Sequence, residues 1–102
     1  MPAARPGSAL NSRLHPSFRQ DFAALPRDIQ KRARKSYRRF QIDPSHPGLQ
    51  FKRLHSALPL WSVRISDSYR AVGVRKSDTD IIWFFIGTHA EYDKLLANLD
   101  KA

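Results

Sequence analysis

The residues best suited to chemistry lie in and just after one stretch, Leu60 to His89. Arg64 and Arg70 sit inside alternating apolar runs, where packing alone would not select a cation, and His89 directly follows the most hydrophobic run. A guanidinium neither gives nor takes protons near neutrality, but its rigid fork of donors holds two phosphate oxygens at once. An imidazole exchanges its proton in the physiological range and serves on either side of a proton transfer. These three side chains are therefore candidates for gripping an anion and moving a proton beside it.

The elements that must position them are legible in the hydropathy pattern. Trp61, Val63 and Ile65 alternate with Ser62, Arg64 and Ser66, the period-two pattern of a strand with one buried face. Ser66-Asp67-Ser68 is a turn, and a second alternating run spans Tyr69 to Arg75. Another turn at Lys76 to Asp80 precedes Ile81 to Ile86, apolar without a break, as expected for a strand covered on both faces. The spacing predicts an antiparallel meander with its most hydrophobic strand last and central. A three-residue turn places Arg64 opposite Arg70, away from Trp61, Val63 and Ile65, where like charges repel unless an anion lies between them. A two-residue turn instead puts Arg70 on the core side.

Upstream, residues 1–14 are rich in Pro, Ala, Gly and Ser without periodicity and read as a mobile tail, leaving residues 15–102 as one domain. Phe18, Phe22 and Leu25 recur at helical spacing behind His15-Pro16-Ser17, which offers a serine cap. Pro26 ends this helix and opens the next, where Ile29, Ala33, Tyr37 and Phe40 form an apolar stripe. Lys31, Arg32, Arg34, Lys35, Arg38 and Arg39 crowd its remainder. Asp43 to Gly48 reads as a loop and Gln50 to His55 as a first strand. Thr88 and Glu91 form a capping box ahead of Tyr92, Leu95, Leu96 and Leu99. The fold class is α+β: an N-terminal helical hairpin on a three- to four-stranded antiparallel sheet, closed by a short C-terminal helix.

Composition narrows the function further. A chain of 102 residues builds one small core. Its formal charge of +9 points to a polyanion or an acidic protein as partner, and twelve Arg to six Lys favours phosphate contacts. The absence of cysteine removes disulfides, thiolate nucleophiles and zinc-finger ligands. No apolar run approaches the roughly 20 residues of a membrane span, and no signal-peptide core is present, so the cytoplasm is the default location. Gly-rich phosphate loops, metal-ligand spacings and Ser/His/Asp arrangements are also missing, and no cofactor is expected.

Trp61-Ser62-Val63-Arg64-Ile65, then Tyr69-Arg70, then Gly87-Thr88-His89 leading to Glu91-Tyr92-Asp93-Lys94-Leu95-Leu96 resemble the RelE/ParE superfamily of toxins from bacterial type II toxin–antitoxin pairs. The likeness runs from about Phe18 to Leu96. It implies a cognate antitoxin, and one of two activities. Ribosome-dependent members cleave mRNA without metal, whereas ParE members poison DNA gyrase by binding. By position, Arg70, Arg64, His89 and Tyr92 resemble the nuclease members' catalytic set. Lys52, Arg53, His46 and His55 are the expected RNA-binding residues, His46-Pro47 matching a His-Pro before the first strand. Where some members place a glutamate base, this chain has Lys52 and Arg53, so a histidine would have to serve.

Such cleavage needs a base for the 2′-OH, cations for the phosphoryl oxygens and an acid for the departing 5′-oxygen. The resemblance therefore implies an endoribonuclease acting on ribosome-bound mRNA, with Arg70 and Arg64 holding the phosphate and His89 moving protons. A gyrase poison and an inert fold relative are the alternatives. Each residue also has a structural role open to it: strand arginines form ion pairs, His89 can start a helix, Tyr92 can pack, and His46 and His55 can belong to turns.

Overall fold

The computed structural model describes residues 10–101. Eight elements follow in order: β1 (Asn11–Leu14), α1 (Pro16–Ala23), α2 (Arg27–Ile42), β2 (Lys52–Arg53), β3 (Leu60–Arg64), β4 (Tyr69–Arg75), β5 (Asp80–Thr88) and α3 (His89–Lys101), with a 3-10 turn at Pro47–Leu49 before β2. The strands form one sheet in the order β1-β5-β4-β3-β2. The expected meander is present, and the α+β class holds.

Three expectations need correction. Of the predicted tail, residues 1–9 lie outside the described residues, but Asn11–Leu14 is a strand parallel to β5, making the sheet five-stranded and mixed. Only this strand makes β5 interior, since a meander ending on β5 leaves it at an edge. Its sequence, NSRL, carries one apolar residue and so no periodic signal. It is held by His15 N–H to Trp83 O at 2.8 Å and by Trp83 Nε1–H to Ser12 Oγ at 2.9 Å. The first meander-side strand is also shorter than Gln50 to His55, because Gln50 adopts a left-handed φ of 45° in closing the 3-10 turn. Finally, His15 rather than Ser17 caps α1: its Nδ1 accepts from Ser17 N at 3.1 Å, while Ser17 Oγ donates to Phe84 O at 2.7 Å.

That last bond marks a bulge that organises the sheet. Val72 faces Phe85 and Gly73 faces Trp83, so Phe84 is the extra residue in β5. Trp83 and Ile86, three apart, would otherwise point to opposite faces; the bulge puts both in the core. There Phe40 of α2, only 1% exposed, meets Trp83 edge-on at 5.3 Å and Phe51 at 5.0 Å. Gly73 is required at the same place, because a Cβ there would lie 2.9 Å from Trp83 Cε3 and 3.0 Å from Ile82 O.

The helical hairpin covers the face carrying Val63, Ile65, Ala71, Ile81 and Trp83, with Phe18, Phe22, Ile29 and Tyr37 packed around it. The other face carries Ser62, Arg64, Arg70 and Val72, and α3 packs on β5 and β4. The capping box of α3 forms as expected: Thr88 N–H donates to Glu91 Oε1 at 2.8 Å and Glu91 N–H to Thr88 Oγ1 at 3.2 Å. No helix among the described residues is long and apolar enough to cross a membrane.

Candidate functional site

The β3–β4 turn is three residues long, since Ile65 N–H donates to Tyr69 O across it at 3.0 Å. Arg64 and Arg70 are consequently cross-strand partners on one face. They are fixed differently. Arg70 is half-buried, and its Nη1 donates to Ser66 O and, at 3.0 Å, to Tyr69 O, so the turn's own carbonyls hold the guanidinium. Arg64 forms an ion pair through Nη2 with Asp67 Oδ1 at the turn tip. The hydrogen bond and charge of Arg64 hold the Asp67 carboxyl below the usual carboxylate range, and the charges of Arg32 and Arg70 push the same way.

His89 reaches the same turn from the other side. Its backbone N–H donates to Ser68 O at 2.7 Å, tying the start of α3 to the turn that separates the two arginines. The imidazole is about half exposed, and its Nδ1 lies 3.2 Å from Asp93 Oδ2, one helical turn on. This contact orients the ring through one nitrogen and leaves Nε2 for other partners. Tyr92 is buried to 7% exposure, with its ring edge-on to His89 at 5.6 Å, and so backs the imidazole.

The remaining predicted residues divide. Lys52 is exposed and pairs in register with Ser62, on the face of Arg64 and Arg70. Arg53 stands opposite Trp61, with its Nε donating to His55 O at 2.9 Å. His46 Nδ1 accepts from Gly48 N at 3.0 Å, capping the 3-10 turn. His55 Nδ1 accepts from Ala57 N at 3.0 Å and Leu58 N at 3.1 Å. The structure thus gathers Arg64, Arg70 and His89 about one turn, adds Lys52 two strand positions away, and gives one ring nitrogen of His46 and of His55 a local turn to stabilise.

Sequence reasoning missed Asp67, Asp93 and Arg32. Asp93 was readable, four residues after His89 on a helix, where such pairs face each other. Arg32 was not, because only tertiary packing brings α2 toward the β3–β4 turn. Among the described residues no group of three or more His, Asp or Glu side chains is placed to hold a metal ion.

The profile of the ParE-like toxin domain matches residues 27–94, two-thirds of the sequence and every element that shapes this site. The chain belongs to that family. Comparison with curated proteins gives no match. Among solved structures, the toxin is similar to the RelBE2 toxin–antitoxin complex from Mycobacterium tuberculosis, with 18% identity over 80% of this chain and 93% of that one and a TM-score of 0.64. The RelB-RelE complex from Methanococcus jannaschii gives 21% identity, 80% and 96% coverage and a TM-score of 0.63. The YoeB/ParE toxin from Agrobacterium tumefaciens gives 15% identity, 78% and 99% coverage and a TM-score of 0.62. At these identities the likeness establishes a shared fold. The toxin has the RelE-like architecture.

Proposed function

We propose that this toxin is a ribosome-dependent mRNA endoribonuclease that blocks translation in the cytoplasm, working without metal as the family resemblance implies. The observation that carries the reading is the cross-strand pair Arg64 and Arg70 at a turn to which the His89 backbone is bonded. Two guanidiniums on one rim supply charge where the phosphoryl oxygens gain it. His89, oriented by Asp93, supplies the proton transfer, and a positioned acid or base contributes about 10²–10⁴-fold. Lys52 lies on the path an RNA strand would follow across that face.

The partner under this reading is a cognate antitoxin, as in the complexes from Mycobacterium tuberculosis and Methanococcus jannaschii. A cavity of about 370 Å³ between β1, α1 and α2, floored by Leu14, Phe18, Phe22, Ala33 and Tyr37 and edged by Arg19 and Arg34, suits an acidic amphipathic segment. A second reading, a gyrase poison acting by binding alone, is favoured by the carboxylate partners that Arg64 and His89 already have.

Expression without the antitoxin, with mapping of cellular mRNA ends and of plasmid supercoiling, separates the two. Codon-phased cuts that vanish in His89→Ala support the nuclease. Intact mRNA with gyrase-dependent DNA damage supports the poison and overturns it.

A further inference from the structure

We infer that the Asp67 carboxylate sits where an RNA phosphate binds between Arg64 and Arg70, as a resident counter-anion that substrate must displace and that sets how weakly the free toxin holds RNA. The inference rests on the proposed RNA-binding role of this face and names a residue that the reading did not include.

The geometry is specific. Arg64 and Arg70 are directly opposed on one face, an arrangement that repels unless a negative charge lies with them. Asp67, at the tip of the turn joining their strands, is bonded to Arg64 and lies within the electrostatic reach of Arg70 and, from α2, of Arg32. Arg64 thus bonds the carboxylate directly, and the charges of Arg70 and Arg32 act on it from two other elements. Asp67 is also easy to move. Its side chain is 93% exposed against 31% for Arg64, so it swings out without disturbing packing, and an exposed ion pair holds it weakly.

Arg70, in contrast, stays put. Arg70 is fixed by the carbonyls of Ser66 and Tyr69 and keeps further N–H donors for a ligand. Displacement thus exposes an Arg70 guanidinium already in place and releases that of Arg64 to the incoming phosphate. A phosphodiester, with two free oxygens, matches a guanidinium fork better than the single Asp67 oxygen that pairs with Arg64. Asp78, in the turn at the other end of β4 from Arg64 and Arg70, serves as a control for net charge.

The test titrates the full-length toxin, freed of its partner, with a labelled six-nucleotide single-stranded RNA across a range of salt. Asp67→Asn is expected to tighten binding about threefold to tenfold, the size of one exposed unit charge removed from beside an anion. The salt dependence should steepen by about 0.7 in log–log slope, one added phosphate contact on a single strand. Asp67→Ser should reproduce the gain, Asp78→Asn should give less than twofold, and Arg64→Gln should abolish the gain from Asp67→Asn. Equal effects of the Asp67 and Asp78 changes, or a gain that survives Arg64→Gln, overturn the inference. Tightening by Asp67→Asn in a toxin that cuts no mRNA on programmed ribosomes keeps the seat and removes the nuclease reading. Cutting by the wild type without tightening in Asp67→Asn does the reverse.

Discussion

Replacing Gly73 with alanine tests the packing logic that aligns the site's strands, because two physical arguments predict opposite signs. Where the backbone is compatible, Gly→Ala stabilises by about 0.4–1 kcal/mol by restricting the unfolded chain. At Gly73 the new methyl would stand 2.9 Å from Trp83 Cε3, 3.0 Å from Ile82 O and 3.1 Å from Ile81 Cγ1. Two of those three neighbours cannot yield cheaply: one is backbone and one is an indole only 3% exposed. Overpacking of this kind costs about 1–3 kcal/mol. For a domain of this size that lowers Tm by about 5–15 °C. Thermal unfolding followed by circular dichroism reads the sign directly. Trp83→Phe, which removes the opposing ring edge, should recover part of the loss, with a coupling of at least about 0.5 kcal/mol in a double-mutant cycle. An unchanged or higher Tm for Gly73→Ala would refute the view that this glycine is there to admit Trp83 beside the bulge.

Other expectations follow from the same contacts. His89→Ala should slow ribosomal mRNA cleavage by about 10²–10⁴-fold, whereas Asp93→Asn, which loses only an exposed orienting contact, should slow it by at most about fivefold. Equal losses would give Asp93 a direct chemical part. Burial raises the Asp21 carboxyl, with the charge of Glu91 adding to it, although a backbone hydrogen bond at Ile86 opposes both. A raised carboxyl contributes stability that is present below its unfolded value and lost as pH rises through its folded one. Asp21→Asn should therefore raise Tm at pH 7 and not at pH 3, and melts showing no such pH contrast would count against it. The carboxyls of Asp43, Asp67 and Asp80 are instead depressed, chiefly by hydrogen bonds from Ser45, Arg64 and Asn11 respectively, so their contributions disappear as pH falls through their folded values. Phe40→Ala should cost about 3–5 kcal/mol in denaturant unfolding, since the ring is buried between Phe51 and Trp83. A cost under 1 kcal/mol would mean the core collapses around the gap.

By itself the sequence determined the helical hairpin, the meander and the capping box, because each is written in local spacing: Ile29, Ala33, Tyr37 and Phe40 at 3.6, Trp61, Val63 and Ile65 at two, Thr88 and Glu91 at three. It also picked out Arg64, Arg70 and His89 as a group, since charges in apolar runs stand out. It left open which face Arg70 takes, as that depends on turn length, and the Ile65–Tyr69 hydrogen bond decided it. β1 and the β5 bulge were decided only in three dimensions. Neither has a pattern of its own: Asn11–Leu14 is a strand because the edge of β5 offers it hydrogen bonds, and Phe84 is extruded because Trp83 and Ile86 must both reach Phe40's side of the sheet. The Asp67–Arg64 pair is local, three residues apart at one turn, and only the charge of Arg32 reaches it from a distant part of the chain. Local sequence encodes what neighbours along the chain can satisfy; groups whose partners lie dozens of residues away are assigned by packing.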